Sequence, residues 1–247
     1  MNNNVLTHLT KDSGNIKSIL VNGFVYVPSP TQIWDYIFAD LELSIPDIEN
    51  GMVCFTEISE DLNPRTNSYM YTQFGKYGIA VDFNWSIDCG LKKVAYIKRN
   101  GPTYEALKTL VRESYPDFNY IETQVDPRTA SIIVKNLSND PNLIGTFTDP
   151  LYQLVINMLQ YVEIEKNKDE KEFRIRSPKA IRGLEHDRSK KEQVALSKQL
   201  YGEKIYNNML LIKPENVLYV FCPKEDVGII KKNLCDTIFC GTVVRGY

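Results

Sequence analysis

Near its start the chain contains the run Val5-Leu6-Thr7-His8-Leu9-Thr10. A second run, Asn15-Ile16-Lys17-Ser18-Ile19-Leu20-Val21-Asn22-Gly23-Phe24, follows it. The first run alternates well enough to predict a short strand, whereas the apolar residues of the second are spaced as on a helix that ends at Gly23. His8 and Thr10 are two residues apart, so on a strand their side chains lie on the same face. This opening therefore predicts a strand, a turn and a helix that present an imidazole and a hydroxyl together.

The composition limits the classes of function. With 247 residues, 43% of them hydrophobic, the chain can bury a sizeable core. The net charge of −2 excludes a global basic field of the kind that drives non-specific nucleic-acid binding. Five cysteines without a CxxC pair, and only two histidines, favour reduced thiols over a disulfide framework or a zinc site. The sequence shows no signal-peptide pattern and no run as long as a membrane span, so we expect a cytoplasmic protein.

Strand-type and helix-type patterns continue along the chain, separated by Pro, Gly and Asn. The further predicted strands are 24–27, 51–58, 74–83, 94–97, 172–175, 210–212, 217–222 and 237–240. The further predicted helices are 32–41, 85–89, 102–112, 151–162 and 224–234, with Thr31 and Asn84 as caps of the first two. Residues 114–149 give no clear pattern. The order of elements predicts an α+β fold, a split and mostly antiparallel sheet with short helices, in one domain over 1–247.

Four segments carry the polar side chains that stand out, namely His8–Thr10, Cys54–Glu57, Phe74–Ile79 and Glu170–Ile175. Together with the run Gly51–Ile58, they resemble the AbiGi family of bacterial abortive-infection proteins, which are regarded as antitoxins. The resemblance covers roughly the first hundred residues and the Glu-x-Glu-Phe-Arg segment. It implies a role in phage defence or in a toxin–antitoxin pair, with a cognate toxin or another defence protein as the partner.

The same segments are similar, more distantly, to ADP-ribosyltransferases. In one clade of that family a first-strand histidine, followed two positions later by a hydroxyl residue, binds the NAD ribose, and His8 and Thr10 match this pair. The glycine-rich strand that bears the nicotinamide-stacking tyrosine is similar to Phe74–Ile79, although the family tyrosine falls nearer Ala80 than Tyr77. The resemblance implies an ADP-ribosyltransferase-like fold.

The segment Glu170-Lys171-Glu172 resembles the Glu-x-Glu turn of the family, in which the second glutamate is catalytic. Cleavage of the glycosidic bond of NAD passes through an oxocarbenium-like ribose cation, which a carboxylate stabilises. The resemblance therefore implies an NAD site with Glu172 and Glu170 as catalytic residues and with His8, Thr10, Thr56 and Tyr77 as binding residues. NAD is then the substrate, no metal is needed, and a protein or nucleic acid accepts the ADP-ribose.

Each of these segments also has a purely structural interpretation. His8 on a strand is satisfied by its neighbours, Thr56 faces outward from a core strand, and Tyr77 fills a bend beside two glycines. The glutamates belong to a solvated run of charge, and the Lys- and Arg-rich residues 180–199 form an exposed loop or helix, or bind nucleic acid or an acidic partner. Two hypotheses follow, an NAD-dependent ADP-ribosyltransferase or NAD glycohydrolase, and a non-enzymatic antitoxin that binds a partner toxin.

Overall fold

The computed structural model describes residues 4–26, 32–43, 51–114, 150–177 and 209–247. The chain divides into two compact units, the first built from Met1–Pro30, Pro46–Ala95 and Asn167–Tyr247, and the second from Thr31–Ile45 and Tyr96–Lys166. Residues 115–149, for which the sequence shows no clear pattern, lie outside the described residues, as do the charged run 180–199 and the predicted cap Thr31. That the whole chain is one domain stays a prediction.

Nine strands and seven α-helices account for the regular structure of the described residues. The strands are β1 (Asn4–Thr10), β2 (Met52–Ser59), β3 (Tyr77–Val81), β4 (Lys92–Lys93), β5 (Ala95–Ile97), β6 (Val162–Ile164), β7 (Glu172–Arg176), β8 (Val217–Cys222) and β9 (Val244–Gly246). The helices are α1 (Ser13–Asn22), α2 (Gln32–Asp40), α3 (Ser68–Phe74), α4 (Phe83–Asp88), α5 (Pro102–Ser114), α6 (Pro150–Leu159) and α7 (Val227–Leu234). Short 3-10 helices cover Glu165–Glu170, Pro214–Asn216 and Lys224–Asp226.

The first unit contains a seven-stranded sheet with the order β4-β7-β2-β1-β3-β8-β9. Every neighbouring pair is antiparallel except β8 and β9, which run parallel. The predicted mixture of short helices with a mostly antiparallel sheet is therefore confirmed. The predicted strand and helix of the opening stretch are confirmed as β1 and α1, and Gly23 ends the helix with its N–H bonded to the carbonyl of Ile19.

The two faces of this sheet carry different layers. On the face that we call the α1 side, a large apolar cluster packs against α1 and α7, and it includes Leu6, Phe55, Ile79, Val220, Ile16, Leu20 and Ile230. On the opposite face, the α3 side, a smaller cluster includes Val5, Ile58, Ala80, Tyr219, Phe221 and Met70 of α3. Alternate residues of each strand supply the two clusters because successive side chains of a strand point to opposite faces.

The second unit combines the two-stranded sheet β5-β6 with α2, α5 and α6. Trp34 and Phe38 of α2 are fully buried and stacked, with ring centroids 5.8 Å apart. The hydroxyl of Tyr104 donates a hydrogen bond to Asp40 over 2.7 Å, and this bond holds the pKa of the Asp40 carboxyl below its usual value. The hydrogen bond between Tyr104 and Asp40 ties α2 to α5. None of the helices in the described ranges is both long and apolar enough to traverse a bilayer.

Two predicted boundaries on the sheet were wrong. The strand predicted from 74 begins only at Tyr77, because Ser68–Phe74 forms α3 and Gly75 then reverses the chain with a φ of 113°. The helix predicted with Asn84 as its cap begins instead at Phe83. Its cap is Asp82, whose carboxylate accepts a hydrogen bond from the amide of Trp85 over 2.8 Å.

At three of the predicted positions, the described residues do not form a strand. Residues 237–240 form consecutive turns, in which the amides of Thr237 and Cys240 donate to the carbonyls of Leu234 and Thr237. The closing strand lies later, at β9. The segments predicted at 24–27 and 210–212 meet only in an isolated bridge between Phe24 and Leu210.

Candidate functional site

His8 lies on the α1 side of the sheet, half-buried near the end of β1. Its Nδ1 atom lies 2.8 Å from the carbonyl oxygen of Cys54 on β2. A carbonyl only accepts hydrogen bonds, so Nδ1 carries the proton and donates it. The imidazole also meets the rings of Phe24 and Phe55 edge to face, with centroids 5.1 and 5.8 Å away. These contacts tie His8 to β2 and to the aromatic core.

Thr10 organises the turn between β1 and α1. Its hydroxyl oxygen accepts hydrogen bonds from the side-chain amide of Asn15 over 2.9 Å and from the backbone amide of Asp12 over 3.4 Å. The Asp12 carboxylate in turn accepts from the amide of Gly14 and caps α1. The hydroxyl predicted to bind NAD is buried and holds this turn together.

Tyr77 begins β3 and is paired with Thr10 across the sheet. Its hydroxyl donates a hydrogen bond to the Asp226 carboxylate over 2.7 Å. This bond, together with burial, raises the pKa of Tyr77 to about 12. Asp226 ends the 3-10 helix that leads into α7, so the bond fastens α7 to the sheet.

Replacing Tyr77 with phenylalanine should lower the free energy of unfolding by about 1.5–3 kcal/mol at pH 7, because one hydrogen bond to a charged group is lost. The unfolded phenol ionises near pH 10 and the folded one near about 12. The contribution of the bond is therefore complete below pH 10 and falls as the pH rises from 10 to about 12. Urea unfolding of wild type and Tyr77→Phe at both ends of this range measures the difference.

Tyr219→Phe is the matched control. The Tyr219 hydroxyl is also buried, on the α3 side, but it has no hydrogen-bond partner among the described residues. Removing it should leave the free energy of unfolding unchanged within about 0.5 kcal/mol, or raise it, since no bond is lost. An equal loss in the two variants would contradict the structural role of the Tyr77–Asp226 bond.

Thr56 and Glu172 are direct partners across β2 and β7. The Thr56 hydroxyl donates a hydrogen bond to the carbonyl of Glu170, the last residue of a 3-10 helix. Both oxygens of the Glu172 carboxylate accept from the Arg174 guanidinium, over 3.0 Å from Nε and 2.6 Å from a terminal nitrogen. The side chains of Glu172 and Arg174 are 13% and 5% exposed. This is a buried, bidentate ion pair on a single strand.

The sheet separates the six predicted site residues into two groups. Thr7 is paired with Thr56, which is paired with Glu172, so these three side chains lie on the α3 side. His8 follows Thr7 directly and points to the α1 side, as do Thr10 and Tyr77. The structure therefore brings Thr56, Glu170 and Glu172 together but does not bring them to His8. Their assignment to an NAD site stays a prediction.

Two surface features were missed by the sequence reasoning. A cavity of about 540 Å³ is lined by Lys11, Lys76 and α3, and exposed apolar side chains lie on α4. The spacing of Phe83 and Ile87 could have indicated the second feature, because residues four apart share a helix face. The cavity forms only because β1 pairs with β3, and this pairing cannot be predicted from the local sequence pattern.

Within the described ranges, no three His, Cys, Asp or Glu side chains are grouped so as to hold a metal ion.

Comparison with known proteins identifies a family. A family model with the description "Putative abortive phage resistance protein AbiGi, antitoxin" matches residues 40–223, well over half of the chain. No curated protein and no solved structure matches the chain, and the resemblance to ADP-ribosyltransferases has no support from these comparisons. The matched residues run from the end of α2 through β8 and so include most of the sheet. The chain belongs to the AbiGi family.

Proposed function

We propose that this protein is the antitoxin of an abortive phage-resistance system and that it neutralises a cognate toxin protein by binding it, without enzymatic activity. The family match over residues 40–223 carries the proposal. The placement of the polar residues agrees with it, since His8 and Glu172 point to opposite faces of the sheet and each has a partner within the fold. An antitoxin of this kind needs an exposed surface rather than a catalytic cleft.

An exposed apolar surface lies inside the matched range. Phe83 and Ile87 are 49% and 50% exposed, and their spacing places them on one face of α4. Leu218, 46% exposed, lies where the register between β3 and β8 shifts, next to the hydrogen bond that joins Asp82 to Asn216. We call Phe83 and Ile87 the α4 patch. Large apolar side chains grouped on a surface are typical of protein–protein interfaces.

The double variant Phe83→Asp/Ile87→Asp tests the α4 patch as the toxin-binding surface. We expect its affinity for the toxin encoded beside it to fall by about tenfold or more per residue, because large apolar anchors dominate interfaces. Growth of cells that express the toxin should be rescued by wild type and not by the variant. Because both side chains are exposed, the free energy of unfolding should change by less than about 1 kcal/mol.

Ile229→Asp is the matched control, since Ile229 on α7 is 52% exposed and lies outside the matched range. It should rescue growth as wild type does. Rescue by the α4 variant would exclude this patch as the toxin-binding surface. Failure of wild type to bind the toxin or to rescue growth would contradict the antitoxin function itself.

Incubation of wild type with labelled NAD and cell lysate tests the hypothesis of an NAD-dependent enzyme. Transfer of label, or release of nicotinamide, would contradict a non-enzymatic role.

A further inference from the structure

Lys11 and Lys76 face each other at one end of the sheet. Thr10 and Tyr77 are the last paired residues of β1 and β3, and the two lysines are the next residue outward on each antiparallel strand. They approach because residue 75 is a glycine, at which a Cβ atom would collide with the backbone of Thr10 and Lys11. Like charges directly opposite on neighbouring strands are destabilising. The fold thus places two positively charged residues at directly opposite positions, and the Lys76 ammonium lies 5.8 Å from the centroid of the Tyr77 ring.

No acidic side chain of the described residues balances this charge through an ion pair. Neither Lys11 nor Lys76 takes part in the salt bridges of the described chain. Asp12, the residue after Lys11, caps α1, and Asp226 accepts the hydrogen bond of Tyr77, so the hydrogen bonds of these two carboxylates go to other groups. The pair of lysines is therefore suited to an anion from outside the described chain.

The lysines line an open cavity of about 540 Å³, a volume in the range of small-molecule sites. Ser68 and Thr72 of α3, which both carry a hydroxyl group, also line it, and the Thr72 hydroxyl donates a hydrogen bond to the carbonyl of Ser68 over 2.8 Å. The rings of Tyr71 and Tyr247 also line it and stack on each other, with centroids 4.9 Å apart and planes 20° apart. The cavity thus combines two cations, two hydroxyls and an aromatic wall.

The backbone beside the lysines is fixed by this wall. The hydroxyl of Tyr247 donates a hydrogen bond to the carbonyl of Lys76 over 2.8 Å, and the hydroxyl of Tyr71 donates to the carbonyl of Leu62 over 3.3 Å. The ammonium groups themselves remain exposed to solvent. Two exposed lysines beside one cavity can supply two positive charges to a compact anion, and lysine is a common phosphate-binding residue.

We propose that this cavity binds the phosphate group of a small molecule, with Lys11 and Lys76 as the charged ligands. Free inorganic phosphate and a nucleoside monophosphate share this group. They differ in whether a planar base can lie against the tyrosine wall. The proposal does not depend on toxin binding, because it rests on α3 and the β1–β3 end of the sheet.

Isothermal titration of the full chain with inorganic phosphate and with adenosine monophosphate, at constant ionic strength, tests this proposal. We expect saturable binding of both, and a dissociation constant that rises about tenfold in Lys11→Gln and in Lys76→Gln, because each removes a charged hydrogen bond. If adenosine monophosphate binds more tightly than inorganic phosphate, the tyrosine wall also contacts the base. If the two bind equally, the site recognises the phosphate group alone. Absence of saturable binding, or unchanged dissociation constants in both variants, would overturn the proposal.

Lys17→Gln, on the exposed part of α1 and outside the cavity, is the matched control and should bind phosphate as wild type does. A second measurement separates binding from folding. Without ligand, the glutamine variants should unfold at the same urea concentration as wild type or at a higher one, because a repulsion between like charges is relieved. A lower midpoint in both variants would mean that the lysines support the fold, and would count against the site.

Discussion

Replacing Gly75 with alanine should lower the free energy of unfolding by about 3 kcal/mol or more, since two separate costs add. Its φ of 113° is a conformation that residues with a Cβ atom rarely adopt. The added Cβ atom would also lie well inside van der Waals contact of the Thr10 carbonyl group and the Lys11 nitrogen. These are backbone atoms of the last residue of β1 and of the residue that follows it, so they cannot move aside without disturbing the β1–β3 pairing.

The variant Gly90→Ala separates the cost of the unfavourable φ from the cost of the steric collision. Gly90 also has a positive φ, 86°, but nothing lies within 4 Å of the position of its Cβ atom. The Gly90→Ala variant should lose only the free energy that a positive φ costs a residue with a Cβ atom, about 1–2 kcal/mol. Urea unfolding followed by far-UV circular dichroism measures both variants against wild type. Equal losses would contradict the close approach of Gly75 to β1.

Replacing Glu172 with alanine should cost about 3–5 kcal/mol, the range found when one partner of a buried ion pair is removed. The reason lies with Arg174, whose side chain is 5% exposed and would keep its charge without the bidentate carboxylate. The double variant Glu172→Ala/Arg174→Met should recover part of this loss, because the buried guanidinium charge is removed together with the carboxylate. Chemical denaturation of the three proteins gives the comparison.

Glu105→Ala is the matched control for an exposed pair. Lys108 lies 2.7 Å from Glu105 on α5, and the Glu105 side chain is 49% exposed. Its loss should cost less than about 1 kcal/mol, because solvent screens the pair. If Glu172→Ala were equally harmless, Glu172 would not be a structural residue, and its resemblance to a catalytic glutamate would gain weight. A loss of function in Glu172→Ala must therefore always be compared with its loss of stability.

Local pattern was sufficient for the central strands and for the helices with a clear apolar side. Alternation or a short apolar run predicted β1, β2, β7 and β8, and helical spacing predicted α1 and α5. Helix α3 was missed because Ser68–Phe74 is polar and aromatic, and only Met70 is buried. The run Thr237–Cys240 was mistaken for a strand because it is apolar, although Ile238 is 75% exposed.

The candidate site depended on information that no local pattern holds. The sequence predicts that His8 and Thr10 share a face, and the structure agrees. Whether Glu172 shares that face depends on its register with β2, which pairs it with Thr56, and on the register of β2 with β1. A shift of one residue in either pairing would have reversed the answer, because side chains alternate between faces. Resemblance in motif order therefore could not establish that the residues meet.

The outermost strands of the seven-stranded sheet are its shortest, β4 with two residues and β9 with three. Strand β4 consists of Lys92 and Lys93, and lysine on a terminal strand opposes the addition of another chain. Recognition of a partner by strand addition needs a longer row of unpaired amide and carbonyl groups. A partner that bound the described sheet would therefore have little edge to extend by strand addition, so its contacts would have to come from other surfaces.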